Sequence, residues 1–352
     1  MSDRERLLAR LRDAGVDEDE IERAAAEDRL PTLAVELALG GAGRHSLTHV
    51  AREAGLPPAF LRELMQAVGR PSPGRGERIF TDEDIETARV IKRFVDAGLP
   101  RRELLEVGRV LGQGMSHTSE AVRRLVGNAL LEPGDSEYTV GLRFAQAADE
   151  LAPLVPTLLD HQFRAHLRDG MRRELVTESE REVGRLAGTR DVAIAFADLV
   201  GYTRLGDHLP AEDLGSIAGR FADLAVGAVK RPVTLVKTIG DGAMFASPEV
   251  PPLIASLQRL VASVTGEGER FPDVRVGVAY GPATTRGGDW FGAPVNVASR
   301  VTEIARPGRI LATEEVRDLA PDEPWQRRRR RASLKGVEGR LRLFSLDAGP
   351  EP

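Results

Sequence analysis

Near Asp191 the residue pattern of this chain changes once and completely, and that break rules out a single repeated architecture. Upstream, apolar residues recur at three- and four-residue spacing, in Leu7-Leu8-Leu11, in Ile21-Ala25 and from Leu30 to Leu39, the pattern of one-sided helices. Ser46, Thr81 and Ser116 each stand where a side-chain cap would open a helix, and Leu56-Pro57-Pro58 and Pro71-Ser72-Pro73-Gly74 punctuate the series. Downstream, Val192-Ala193-Ile194-Ala195-Phe196-Ala197 reads as a buried strand, with a helix beginning near Thr203. Residues 233–236 and 243–246 suggest a hairpin around Gly240-Asp241-Gly242, residues 274–279 and 309–312 further strands, 295–304 a helix, and 341–346 a closing strand. Strands interleaved with helices predict an α/β or α+β domain. Between the two halves, residues 161–186 are polar and rich in Arg and Glu, with scattered Phe163, Leu167, Met171, Leu175 and Val176, as in a connecting helix that could make a short coiled contact in a dimer. The expected organisation is a helical domain over 1–160, a linker over 161–186 and an α/β domain over 187–352.

Composition narrows the function. A net charge of −5 argues against a protein that coats nucleic acid or an anionic membrane. With no cysteine there is no disulfide, thiolate metal site or cysteine nucleophile. The charged start Met1-Ser2-Asp3-Arg4-Glu5-Arg6 does not read as a signal peptide, and no apolar run approaches a membrane span, so a cytoplasmic protein is expected. Only Lys92, Lys230, Lys237 and Lys335 are lysines, which makes each worth inspecting, because ammonium and guanidinium are not interchangeable at a tight site.

Two carboxylates stand at strand ends. Asp198 closes the apolar strand before Leu199-Val200-Gly201-Tyr202-Thr203, and Asp241 lies in the turn of Lys237-Thr238-Ile239-Gly240-Asp241-Gly242. Carboxylates on neighbouring strands suit hard divalent ions. A helix start at Gly201, Tyr202 and Thr203 would offer backbone N–H groups to phosphates. Further on, Asn296 and Arg300 are four apart in Asp289-Trp290-Phe291-Gly292-Ala293-Pro294-Val295-Asn296-Val297-Ala298-Ser299-Arg300, so they share a helix face. An amide beside a guanidinium can hold a ribose and a phosphoryl group gaining charge.

These three segments, in this order, resemble the signature motifs of class III adenylyl cyclases over residues 187 to 347. The resemblance implies a ferredoxin-like class III cyclase catalytic domain that converts ATP to cyclic AMP and pyrophosphate. It further implies that Asp198 and Asp241, with the Leu199 carbonyl, bind two Mg²⁺ or Mn²⁺ per active site. Lys237 and Asp289 match the positions that select adenine, and Asn296 and Arg300 the pair that positions ribose and stabilises the transition state. Lys335, in Leu334-Lys335-Gly336, resembles the lysine that contacts the terminal phosphates. Adenine suits this pair on chemical grounds too, since a lysine donor meets N1 and an aspartate acceptor meets the 6-amino group. In such enzymes the halves of the site meet across a head-to-tail homodimer, and this chain carries both halves. Gly287-Gly288-Asp289-Trp290-Phe291 also resembles the diguanylate cyclase signature, which sits in a hairpin. Here the segment leads into the 295–300 helix and a separate turn carries Asp241, which favours the first family.

The upstream half resembles the regulatory domain of mycobacterial-type pH-responsive adenylyl cyclases through Ala14-Gly15-Val16 to Leu30, Ile91 to Gly98 and Leu99 to Leu111. That likeness implies control of the catalytic half, by pH or by an apolar ligand such as a fatty acid between helices. Five of the six histidines (His45, His49, His117, His161, His166) lie outside the catalytic half, and imidazole titrates near neutrality. The competing reading is a DNA-binding regulator with a degenerate nucleotide-sensing domain. Residues 47–54, Gly55 and 58–68 outline a helix-turn-helix, and Phe80-Thr81-Asp82-Glu83-Asp84-Ile85 resembles a MerR-type winged helix. Residues 1–160 hold 28 acidic and 21 basic residues, a net of −7, which opposes it. The arginine run 327–331 reads as a solvated edge or a phosphate-attracting rim.

Overall fold

The computed structural model describes residues 2–41, 43–173, 189–327, 334 and 340–347. The chain divides into two compact units, Met1–Arg172 and Arg173–Pro352.

In the first unit, α1 (Asp3–Asp13), α2 (Glu18–Ala26) and α3 (Leu30–Ala38) bury Leu7, Leu11, Ile21 and Leu33 around Ala145 of a later helix. Ser2 opens α1 with a capping box shared with Glu5, satisfying two N–H groups that the helix itself leaves unpaired. A two-stranded ribbon pairs β1 (His45–Ser46) with β2 (Arg78–Phe80), and α4 (Leu47–Ala54) and α5 (Pro58–Ala67) lie between its strands in the chain. Gly55, at φ 69°, ends α4 in the left-handed conformation that L-residues resist, so the chain reverses into α5. Val50, Phe60, Leu64, Phe80 and Ile85 form the core beneath. Both expected caps at Ser46 and Thr81 are present, the latter as a capping box on α6 (Asp82–Asp96). The expected cap at Ser116 is not: α7 (Arg101–Leu130) runs uninterrupted through it, despite the weak helix formers Gly112, Gly114, Thr118 and Ser119 around it, and the Thr118 and Ser119 hydroxyls donate back to the Gly114 and Ser116 carbonyls inside the helix instead of capping a new one. Then come α8 (Glu137–Leu151), which supplies Ala145, and α9 (Val155–Arg173), which enters the expected linker; residues 174–188 lie outside the described ones.

The architecture of the second unit is a mixed sheet carrying helices. Its strands are β3 (Arg190–Leu199), β4 (Thr234–Ile239), β5 (Gly242–Ser247), β6 (Val274–Arg286), β7 (Asp289–Gly292), β8 (Arg309–Thr313), β9 (Gln326–Arg327) and β10 (Leu343–Asp347), in the order β4-β5-β3-β6-β8-β10-β9 with β7 hairpinned onto β6. All pairings are antiparallel except β6 with β8. Helices α10 (Tyr202–Leu205), α11 (Ala211–Ala228), α12 (Val250–Gly266), α13 (Ala293–Ile304) and α14 (Glu314–Leu319) follow β3, α10, β5, β7 and β8 in turn. Phe221, Leu253, Leu257 and Val261 of α11 and α12 bury one face of the sheet against Ala195, Phe245 and Val276. The opposite face, with Ile194, Met244 and Ala279, is covered by Ala298 of α13. Strand residues alternate between the two cores, which is why the central strands read as nearly continuous apolar runs. This is the fold class expected, an α/β catalytic half that follows a helical half in the sequence.

Candidate active site

Strand register brings the two aspartates together. Asp198 pairs with Gly242 on one side and with Arg275 on the other. Asp241 occupies the β4–β5 turn, where Gly240 takes φ 56°, and its carbonyl accepts from the Leu199 amide at 3.1 Å. The backbone around both carboxylates is therefore held by hydrogen bonds rather than by side-chain chance.

Their electrostatics are unbalanced. Burial pushes the Asp241 carboxyl above the usual carboxylate range, and the nearby Asp198 charge adds to the rise, opposed by a backbone hydrogen bond and by Arg275. Asp198 Oδ2 accepts from Arg275 Nε at 2.9 Å and Nη2 at 2.5 Å, while Arg275 Nη1 donates to the Glu303 carbonyl at 3.0 Å. Among the described residues no third carboxylate or imidazole joins the pair to form a metal-ligating cluster. Two carboxylates crowded into one field, with oxygen donors only, fit a hard divalent ion, whose remaining ligands would be carbonyl, water or other oxygens.

A second group forms on the neighbouring strands. Lys237 follows the register shift in β4, and its Nζ donates to Asp289 Oδ2. Asp289 opens β7 after Gly287 and Gly288, both at positive φ (59° and 79°) as a two-residue hairpin turn requires, and its Oδ1 accepts from the Trp290 amide at 2.9 Å. Both side chains remain about a third exposed, at 35% and 32%, so donor and acceptor are reachable from solvent. The Gly287–Phe291 segment thus does form a hairpin, and it then runs straight into α13. Hairpin against helix therefore does not separate the two cyclase signatures here; the separate Asp241 turn does.

Asn296 is exposed on α13, and Arg300, one turn on, is partly exposed with Nη1 donating to Glu303 Oε1. The helix sits unusually close to the sheet. A Cβ on Gly277 of β6 would lie 2.3 Å from Thr302 N and 2.6 Å from the Ala298 carbonyl, so only glycine admits this approach. Thr302 Oγ1 completes the contact, donating to the Phe196 carbonyl at 3.2 Å and the Ala298 carbonyl at 2.8 Å. Among the described residues no hydrogen bond or ion pair joins Asn296 or Arg300 directly to Asp198, Asp241, Lys237 or Asp289.

Gly201, at φ 78°, turns the chain into the short α10, leaving Thr203 exposed. Tyr202 faces the other way: its ring packs on the core and its hydroxyl donates to the Leu214 carbonyl at 2.9 Å, so only its backbone N–H is left for a phosphate. Lys335 and most of the 327–331 arginine run lie outside the described residues. Arg275 was not singled out from sequence, although a lone charge within Val274-Arg275-Val276-Gly277-Val278 is a readable anomaly in a central strand.

Residues 1–171 match the family described as adenylate cyclase regulatory domain, and residues 186–348 the adenylate and guanylate cyclase catalytic domain. The chain is 37% identical to the pH-sensitive adenylate cyclase MT1302 of Mycobacterium tuberculosis, over 99% of this chain and 89% of that protein. It is 30% identical to an adenylate cyclase of Streptomyces coelicolor, over 81% of this chain and 74% of the relative. A crystal structure of the adenylyl cyclase CyaB from P. aeruginosa aligns at 20% identity and a TM-score of 0.37, covering 45% of this chain and 94% of that one. Among the described residues no helix is long and apolar enough to cross a membrane.

Proposed function

The chain belongs to the adenylate cyclase family, a regulatory domain joined to a cyclase catalytic domain, and from that premise we propose how its residues divide the reaction. The substrate is ATP, and the ribose 3′-oxygen attacks the α-phosphorus with loss of pyrophosphate. Asp198 and Asp241, with the Leu199 carbonyl, hold two divalent ions, Mg²⁺ or Mn²⁺. When bound, those ions favour loss of the 3′-hydroxyl proton and neutralise phosphate charge. Lys237 donates to adenine N1 and Asp289 accepts from the 6-amino group; the observation that carries this is the direct Nζ–Oδ2 contact, a donor and an acceptor side by side on a reachable edge. Asn296 orients the ribose and Arg300 meets charge developing on the α-phosphoryl group. The backbone of Gly201, Tyr202 and Thr203 cradles the phosphates, and Lys335 reaches the terminal ones. Arg275, already beside Asp198, is a further cation for the triphosphate once the metal carboxylates are otherwise engaged.

The site is shared. Asn296 and Arg300 make no direct bond to the carboxylate pair within one chain, which supports a head-to-tail homodimer in which each copy completes the other's site. Mixing two inactive variants tests this with the full chain. Asp241→Ala and Arg300→Ala should each abolish cyclic AMP formation, yet an equimolar re-assembled mixture should regain about a quarter of wild-type activity, because half the dimers then hold one intact site. A mixture as dead as its parts defeats the shared site, and wild type that makes no cyclic AMP with Mg²⁺ or Mn²⁺ between pH 5 and 8 defeats the enzyme reading.

The upstream unit regulates that site, through pH or an apolar ligand. Five of six histidines lie outside the catalytic half, and the first relative is named for pH sensitivity. An apolar cavity of about 340 Å³, with Leu64, Met65, Phe80, Ile91 and Phe94 on its walls, supports the ligand reading, and the Arg70–Asp84 ion pair at 2.8 Å stands beside it.

A further inference from the structure

The upstream unit is acidic overall, yet one cavity in it, of about 820 Å³, is walled without a single carboxylate. Arg44, Arg52, Arg78, His45 and His49 face it, with the hydroxyl-bearing Ser46 and Thr48 between them. The fold concentrates this charge by two local devices. Pairing of the ribbon sets Ser46 opposite Arg78, and the Arg44 amide donates to the Phe80 carbonyl at 2.8 Å, so Arg44 and Arg78 leave the ribbon close together. Helix α4 then begins directly after β1, so His49 and Arg52 rise one turn apart on the face beside it.

Inside the cluster the donors are only partly used. The rings of His45 and His49 stack at 4.7 Å and 15°. His45 Nε2 bonds Asp82 Oδ1 at 2.7 Å from outside the cavity wall, and Arg52 Nη2 lies 3.0 Å from His49 Nδ1, which must accept because guanidinium only donates. Arg52 has a weaker contact to Glu53 at 3.3 Å. Arg44 and Arg78, both exposed, make no ion pair among the described residues. Two guanidinium forks with free donors, beside a helix N-terminus whose dipole also favours negative charge, form a receptor for phosphoryl oxygens.

We propose that this cavity binds a small polyphosphate anion, of the kind carried by pyrophosphate or a nucleoside polyphosphate, at a site separate from the catalytic one. A compact ligand fits better than duplex DNA. The outward face of α5 exposes Ala59, Arg62, Glu63 and Gln66, one positive and one negative charge, so the helix that would lie along a duplex offers no run of cations to its phosphates.

The test is calorimetric titration of the full-length chain with pyrophosphate, in chelator and without ATP. Wild type should bind, and Arg44→Gln/Arg78→Gln should weaken binding at least about tenfold, since each charged hydrogen-bonding group lost is worth that order. Arg275→Gln/Arg300→Gln, which alters the catalytic half, should retain this binding. Arg44→Lys/Arg78→Lys, keeping charge without the fork, should fall between, which separates recognition from misfolding alongside thermal melts of each variant. No binding by wild type, binding indifferent to Arg44 and Arg78, or binding lost only in the Arg275/Arg300 variant each overturns the proposal. Tighter, Arg44-dependent binding of a short duplex DNA than of pyrophosphate overturns it in favour of nucleic acid.

Discussion

Adding one methyl group at Gly277 should disable catalysis from beneath the site. The new Cβ would sit 2.3 Å from Thr302 N, 2.5 Å from Thr302 Oγ1 and 2.6 Å from the Ala298 carbonyl. Two of those three atoms are backbone, so no flexible side chain can swing clear. Ordinary contact would need α13 to lift by about 1 Å, and overpacking of this kind costs about 1–3 kcal/mol. In a unit of this size that is a melting-temperature loss of about 2–12 °C. The larger effect is positional, because Asn296 and Arg300 ride on the lifted helix. Displacing positioning groups by about 1 Å can cost on the order of a hundredfold in rate. Gly277→Ala in the full chain should therefore lower kcat for cyclic AMP formation about a hundredfold while remaining folded at assay temperature. The assay is product formation from saturating ATP with Mn²⁺, beside a calorimetric melt. Activity within about threefold of wild type, or a lowered melting temperature with unchanged kcat, would show that this close approach does not hold Asn296 and Arg300 in a position that catalysis needs.

Two other expectations concern charge and regulation. Because burial raises the Asp241 carboxyl, its ionised form is disfavoured in the folded chain, so its contribution to stability declines as pH rises through the raised value. Metal-free Asp241→Asn should thus melt above wild type at pH 8, with the difference closing as pH falls below the unfolded value of 3.8, while making no cyclic AMP; a wild type that is the more stable at pH 8 contradicts the burial argument. If the upstream unit sets the response to pH, residues 187–352 alone should give a pH–activity profile different from that of the full chain, and superimposable profiles would remove the upstream unit from pH control.

Much of the catalytic half was legible because its chemistry sits in contiguous motifs. Asp198, Asp241 and Asp289 each stand at a strand end or turn whose glycines or apolar run mark it locally. What stayed hidden depends on register. Arg275 meets Asp198 only because β3 and β6 pair at that offset, a relation between residues 77 apart that no local pattern encodes. The hairpin at Gly287–Gly288 is masked in the sequence by the strong helical pattern that follows it, although two successive glycines are a turn signal. Ser116 misled for the converse reason: a cap residue is recognised by the break before it, and α7 has none there. The long amphipathic α11 and α12, which build one whole core, went unnamed since they carry no polar motif.

The hairpin bearing Asp289 and the helix bearing Asn296 and Arg300 are continuous, β7 ending at Gly292 and α13 starting at Ala293. There is no slack between them. Any force that tilts the helix must drag Asp289 along, so if Asp289 reads the base as proposed, control exerted there would switch fidelity and turnover as a single lever. An inhibited state of such an enzyme would be expected to lose its preference among purines at the same moment that it loses speed.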